Sequence, residues 1–245
     1  SDWEKFASYA FNKSHATCYS WVAYQTAYMK AHYPAEYMAA LMTRRFSQIT
    51  EITKLMEECK ALKIATLGPD VNESQIGFGV NKHGEIRFGL SAIKGMGASA
   101  ADSIVRERME NGPYKDIYDF AERVDLSNVN RKAFESLAYS GGFDSFGLQR
   151  EQYFAVTAKG DLFLDTIVRY GQLFQAEKAQ QQNSLFGGMD AIDVVHPIAP
   201  KAEKWPVIEK LNKERELVGI YLSAHPLDEY SVVLNNMCNT RCSMI

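Results

Sequence analysis

The sequence predicts a mainly α-helical protein that carries one small β element. Two observations indicate this class: long runs place apolar residues at helical spacing, and one short stretch near residues 78–88 looks like a β-hairpin. The 245 residues are 46% hydrophobic and 23% charged, which is typical of a folded globular chain and not of a disordered one. No solenoid-type repeat is found.

Three helices are predicted in the first part of the chain, over residues 15–32, 34–42 and 51–63. Tyr33-Pro34 separates the first two, because the residue before a proline disfavours helix and Pro34 suits the first turn of a new one. Thr50 is expected to be the N-cap of the third helix. The Leu67-Gly68-Pro69-Asp70 turn is interpreted as a boundary.

Further along, the Asn81-Lys82-His83-Gly84 turn is flanked by two short apolar stretches, which predicts the β-hairpin. Helical patterns are then expected over residues 90–143, 149–179 and 207–222, the last stopping at Ala224-His225-Pro226. Residues 180–204 are rich in Gln, Gly and Pro and are interpreted as a linker. The Lys/Glu series within residues 210–216 is interpreted as a solvated helix face.

Composition excludes several classes of function. The formal net charge of −3 argues against a uniformly basic nucleic-acid-binding surface, so any phosphate contact would have to come from local geometry. No apolar run approaches the roughly 18 residues that span a bilayer, and no signal peptide opens the chain, so a cytoplasmic protein with no membrane partner is expected. The four scattered cysteines do not form a zinc pattern.

No catalytic signature stands out either. The sequence has no D-x-D carboxylate pair, no Ser/His/Asp order and no Walker loop, so self-contained catalytic machinery is not expected. The blunt start at Ser1 and the end at Ile245 suggest a piece of something longer.

The sharpest local pattern is "LSAIKGMGASAADSI", at residues 90–104. Its apolar residues and two glycines have the helix-hairpin-helix spacing, in which Met96 plugs inward and the hairpin amides point outward at a helix N-terminus. Such amides and the helix dipole suit a backbone phosphate, which positions nucleic acid without reading bases. The candidate DNA-binding residues are Lys94, Gly95, Met96, Gly97 and Arg106, with Arg108 as an alternative to Arg106. The competing interpretation is a Gly-rich turn that binds nothing.

A degenerate companion follows at "AFESLAYSGGFDSFG", residues 133–147, with glycines at 141 and 142. Tandem units of this kind pack on each other. The second unit could therefore support the first or contact phosphate itself, and the sequence leaves both open.

The segment "QQNSLFGG", residues 181–188, has the form of a short linear motif. Gln182, Ser184, Leu185 and Phe186 are the candidate binding residues, because two adjacent apolar side chains in a flexible segment suit a pocket on another protein. Alternatively, Leu185 and Phe186 pack back on the parent domain.

A third candidate lies at Asn12-Lys13-Ser14-His15, at the start of the first helix. Asn12 or Ser14 could serve simply as an N-cap. Lys13 and His15 add two donors to a helix N-terminus, a layout that suits phosphates. An ordinary capped helix and a nucleotide-binding site are therefore both possible from these residues alone.

These motifs occur together in one order that resembles the alpha subunit of bacterial replicative DNA polymerase III. The resemblance rests on "YAFNKSHATCYSWVAYQTAYMKAHYPAEYMAALMT", "LGPDVNES", "IRFGLSAIKGMG", "VNRKAFESLAYSGGFDSFG", "QNSLFG" and "ERELVGIYLSAHPLDEY". It implies the end of a helical fingers domain at 1–67, a tandem helix-hairpin-helix domain at 68–180, a linker with a clamp-binding peptide at 181–204 and a helical lead-in to an OB domain at 205–245.

The resemblance also implies roles and partners. Lys13, Ser14 and His15 would face the triphosphate of the incoming dNTP, and Gly95 and Gly97 would grip primer-template DNA. Gln182, Leu185 and Phe186 would bind the sliding clamp, the beta subunit, among other holoenzyme subunits. The palm aspartates that hold Mg²⁺ lie outside this sequence, so no cofactor is expected in it and the piece alone should not polymerise. The alternative is a non-catalytic DNA-binding and scaffold module.

Overall fold

The protein is described by a computed structural model over residues 13–183 and 194–230, together with the isolated positions 3, 232, 236 and 237. Over these ranges it is mainly helical and contains one small three-stranded sheet, which confirms the predicted fold class. None of the helices in these ranges combines the length and the apolarity that crossing a bilayer requires.

The three predicted N-terminal helices are present. They are α1 (Lys13–His32), α2 (Pro34–Arg45) and α3 (Ile49–Ala61). The prediction of Thr50 as the N-cap of α3 is wrong, because the amides of Glu51 and Ile52 already donate to the Gln48 carbonyl and enclose Thr50 in the first helical turn. The N-cap position therefore belongs to Gln48.

The small sheet has the order β1-β3-β2. The predicted hairpin is confirmed, since β2 (Gly79–Val80) pairs antiparallel with β3 (Ile86–Arg87). A further strand, β1 (Thr66–Leu67), pairs parallel with β3 and was not predicted, because two residues are too short to carry a period. The backbone ladder therefore crosses the turn at residues 67–70, and the predicted domain limits remain predictions.

Residues 90–183, called the hairpin domain below, are built mainly from helices. After a short 3-10 helix, Leu90–Ala92, come α4 (Ala98–Asn111), α5 (Ile117–Arg123), α6 (Arg131–Ser140), a 3-10 helix at Asp144–Phe146, α7 (Arg150–Tyr153) and α8 (Phe163–Asn183). Aromatic rings fill the centre: Phe120 packs edge-on against Phe134 and Phe143, with ring centroids 5.3 and 5.0 Å away. All three are at most 1% exposed, so α5, α6 and the second glycine turn share one core.

The single helix predicted from residue 149 to about 179 is wrong in one respect. It is two helices, because α7 ends at Tyr153 and a turn with Gly160 at φ +90° reverses the chain before α8. A bridge between Val156 and Leu162 closes this reversal. The helical period on either side continues smoothly enough to conceal the break.

The C-terminal part consists of an irregular segment at residues 194–206 and α9 (Val207–Val218). The irregular segment lies on the hairpin domain, where its Pro197 carbonyl accepts from Tyr118 Oη at 2.6 Å and its Pro200 carbonyl accepts from Gln152 Nε2 at 2.9 Å. Helix α9 ends at Gly219, whose φ of +85° terminates it, and not at residues 224–226 as predicted.

The interpretation of residues 210–216 as a solvated face is wrong for Glu214. This carboxylate is 1% exposed and accepts from the amides of Leu222 and Ser223 at 2.7 and 2.8 Å. Arg150, itself 5% exposed, donates to Glu214 at 3.1 Å. The buried pair fastens α9 and the chain after it to the hairpin domain.

Candidate nucleic-acid interface

The first glycine turn, Lys94–Gly97, joins the 3-10 helix at Leu90–Ala92 to α4. The apolar positions of the motif are buried as the spacing requires: Leu90, Ile93, Ala101 and Ile104 are at most 1% exposed. Met96 is 6% exposed and packs inward, as predicted, while Lys94, Gly95 and Gly97 face solvent.

Several backbone amides around this turn have no hydrogen-bond acceptor within the described residues. Within the described part of the protein, no acceptor receives the amides of four exposed residues: Gly95, Gly97, Ala98 and Ser99. The amide of Met96 instead donates to the Ile93 carbonyl at 3.0 Å. Since the first N–H groups of a helix carry a partial positive charge, this cluster is suited to an anionic oxygen.

Two neighbouring helices hold the turn in place. Ser136 Oγ on α6 donates to the Lys94 carbonyl at 3.0 Å, and the Lys94 amide donates to the Leu217 carbonyl on α9 at 2.9 Å. Gly95 has φ +90°, and a Cβ there would lie 2.6 Å from Ser136 Oγ. Only glycine therefore permits this close approach.

The charged candidate residues differ in their exposure to solvent. Lys94 and Arg106 are exposed and available. Arg108 is 8% exposed and donates to the carbonyls of Val71 and Ser74, both at 2.8 Å, so it has a structural role. The role of Arg106 in DNA binding stays a prediction.

Sequence reasoning missed two lysines beside the turn. Lys132 on α6 and Lys213 on α9 line, together with Lys94, a groove of about 400 Å³. The only signal for Lys132 was its place in the "VNRKAF" stretch of the resemblance, and Lys213 carried none. Their proximity arises from packing between elements distant in the chain.

The second glycine turn differs. Gly141, Gly142 and Phe143 are all buried, and the amides of both glycines donate to the Leu137 carbonyl. The Gly142 carbonyl in turn accepts from the Val71 amide at 3.0 Å. These amides are therefore occupied, and the geometry favours the supporting role over phosphate contact.

The nucleotide-binding candidates lie at the start of α1. Lys13, Ser14 and His15 form its first turn, are exposed and have no acidic residue beside them in that turn; Asn12 lies outside the described residues. His15 contacts the Tyr19 ring, with ring centroids 4.3 Å apart. None of the residues of α1 is buried, so its aromatic side chains face solvent.

The structure describes only part of the candidate clamp-binding peptide. Gln182 falls in the last turn of α8, and its side chain, like the residues Ser184, Leu185 and Phe186, lies outside what the structure describes. The peptide remains a prediction.

Across residues 13–183 and 194–230, no three His, Cys, Asp or Glu side chains lie close enough to hold a metal ion, so these residues do not fit a Mg²⁺ site.

Comparison with known proteins shows similarity to one motif family and to one group of proteins. Residues 63–153, a range that contains both glycine turns, match the helix-hairpin-helix motif family. The chain is 39% identical to DNA polymerase III subunit alpha of Xylella fastidiosa strain Temecula1 over 93% of its length, 39% to that of Vibrio cholerae over 97%, and 41% to that of Chlamydia trachomatis over 92%.

This chain spans only 18 to 20% of the length of those relatives. The predicted resemblance to the DNA polymerase III alpha subunit is therefore confirmed: nearly the whole of this chain aligns with one segment of that protein family.

Proposed function

We propose that this chain is the part of a replicative DNA polymerase alpha subunit that grips duplex DNA by its phosphate backbone. The observation that carries the proposal is the set of amides at Gly95, Gly97, Ala98 and Ser99 that have no acceptor within the described residues, beside Lys94, whose backbone is hydrogen-bonded to Ser136 and Leu217. Similarity to alpha subunits supports the setting, which is template-directed DNA synthesis in the bacterial cytoplasm.

The grip does not depend on base sequence. Amides at a helix N-terminus donate to phosphate oxygens, and Lys94 and Arg106 add positive charge nearby. Because such contacts release counterions, the affinity should fall steeply with salt and vary little between duplex sequences. A polymerase requires this property, since it must move along every sequence it copies.

The other parts of the proposal concern the whole polymerase. Lys13, Ser14 and His15, with Asn12, would contact the incoming nucleotide's triphosphate, and the peptide at residues 182–186 would tether the enzyme to the sliding clamp and raise its effective concentration at the primer end. Mg²⁺ would be held by residues outside this chain, so the chain alone should not polymerise.

Two substitutions in a polymerase that contains this segment test those roles. Lys13→Ala should raise the KM for nucleotide without changing DNA affinity; an unchanged KM would favour the non-catalytic scaffold alternative. Replacing Leu185 and Phe186 by Ala should abolish clamp binding in a pull-down with the purified clamp, and tight residual binding would point to another docking site.

The duplex grip is tested by Ala98→Pro in the 245-residue chain. Ala98 is the first residue of α4, where proline is tolerated, and Gly97 (φ −74°, ψ 153°) has the extended conformation required before it. The substitution removes one amide and little else.

We expect duplex affinity, measured by fluorescence anisotropy, to fall about tenfold, as for one hydrogen bond to a charged group. Ala98→Ser keeps the amide and is the matched control. Equal affinity of the two variants would contradict the proposal.

A further inference from the structure

The groove beside the first glycine turn is formed mostly by residues outside that turn. It is lined by α6 and α9 as well as by Lys94, and its three lysines come from three separate elements. Both helices are bonded to the backbone of Lys94, through Ser136 Oγ on α6 and the Leu217 carbonyl on α9. The groove therefore keeps a fixed position relative to the amides.

We propose that this groove holds the phosphate next to the one bound by the hairpin amides, with Lys132 and Lys213 as its ligands. This inference rests on the proposed duplex grip and extends it along one DNA strand. It makes α9, which follows the linker, part of the DNA interface.

Lys132 is the nearer of the two lysines. A Cβ built on Gly95 would come 3.3 Å from Lys132 Cε, so the stem of the lysine lies directly against the hairpin. No carboxylate pairs with Lys132 or with Lys94 in the part of the chain that the structure describes. Both ammonium groups are thus available to an anion from outside.

Lys213 is positioned by aromatic rings. Its Nζ lies 4.9 Å from the Tyr139 ring centroid and 4.8 Å from that of Trp205, and 3.6 Å from Glu209 on the same helix. Ring faces hold an ammonium without neutralising it, whereas the ion pair with Glu209 offsets part of its charge.

Two carboxylates also line the groove and must be considered. Glu135 is engaged by Arg131 at 2.5 Å, and Arg131 also pairs with Asp165 at 2.8 Å, so it offsets the charge of Glu135 only in part. Glu216 is exposed and has no such partner within the described ranges, so it should repel a bound phosphate. Three lysines and two carboxylates line the groove, so its lining carries a small excess of positive charge.

The test measures affinity of the 245-residue chain for a random-sequence duplex at two salt concentrations, with thermal melting of each variant as a check on folding. We expect Lys132→Ala and Lys213→Gln each to weaken binding about three- to fivefold, a range typical of exposed ion pairs. Affinity falls as salt rises, and each substitution should make this dependence shallower. The slope of log affinity against log salt should become less negative by about 0.9, as for one lost phosphate contact.

The matched controls are Lys210→Ala and Lys159→Ala, because neither residue lines the groove. Lys210 lies on the same helix as Lys213, and Lys159 is an exposed lysine between α7 and α8. Both should leave the affinity nearly unchanged. Glu216→Gln should tighten binding, which is an effect that damage to the fold would not produce.

The outcomes separate this inference from the proposed grip. If Ala98→Pro weakens binding while Lys132→Ala and Lys213→Gln match their controls, the groove is not a phosphate site although the hairpin is. If the groove variants weaken binding and Ala98→Pro does not, the continuous strand path is wrong. If none of them has an effect, the duplex grip itself fails.

Discussion

The two glycine turns of the hairpin domain share a sequence pattern and have opposite surroundings. In the first turn Gly95 and Gly97 are exposed and, within the described residues, their amides have no acceptor. In the second turn Gly141 and Gly142 are buried and their amides donate to the Leu137 carbonyl. The inward plug is Met96 in the first turn and Phe143 in the second, and only Phe143 joins the central aromatic core. One motif can thus present amides to a ligand or support the copy that does.

The largest expected effect concerns the buried turn. A Cβ on Gly141 would lie 2.2 Å from Arg150 Nη2, and φ is +90°, so Gly141→Ala should disturb both the backbone and the Arg150–Glu214 pair. We expect a loss of about 3 kcal/mol or more in the free energy of unfolding, measured by urea denaturation.

Gly147→Ala is the control for that substitution, because Gly147 has φ +79° but open space around it. It should cost only the backbone term, about 1 kcal/mol. Equal losses for the two variants would show that the close packing at Gly141 is unimportant.

An intermediate effect is expected where the exposed turn is attached to α6. Ser136→Ala removes the hydrogen bond to the Lys94 carbonyl and should lower stability by about 1 kcal/mol in the same denaturation experiment. It should also weaken duplex binding modestly, because the amides lose one of their two supports. Ser47→Ala, at an exposed position away from the turn with no such bond in the described residues, should do neither.

The smallest expected effect is a difference in the reactivity of two cysteines. It extends the contrast between exposed and buried positions to the N-terminal helices. Cys18 on α1 is exposed, whereas Cys59 on α3 is fully buried, and burial raises the pKa of the Cys59 thiol to about 11. Because the thiolate is the reactive form, iodoacetamide at pH 8 should label Cys18 and spare Cys59.

Peptide mass spectrometry reads this experiment out, with denatured protein as the control in which both cysteines react. Fast labelling of Cys59 in the folded chain would mean that α3 detaches readily from the core.

Local patterns explain what could be predicted. The helices α1 to α3, the β2–β3 hairpin and the first glycine turn follow from residue spacing within a dozen or so positions, and proline and glycine mark several of their limits. The burial of Met96 and the exposure of Gly95 and Gly97 were also predicted, since the turn chemistry is contained in the motif.

Other features could not be read locally. The break after α7 lies inside a continuous helical period, and β1 is too short to be seen. Arg108 and Glu214 looked like surface charges, yet each is buried by partners more than 30 residues away.

By itself, the sequence determined the fold class, the helix-hairpin-helix motif and the resemblance to the alpha subunit, because each depends on residue order and spacing. Only the tertiary structure decided which glycine turn is open to a ligand, that Arg108 is structural, and that Lys94, Lys132 and Lys213 line one groove. Those outcomes depend on contacts of the first glycine turn with α6 and α9, and of α4 with residues 71–74, because these long-range contacts fix the exposure and partners of each group.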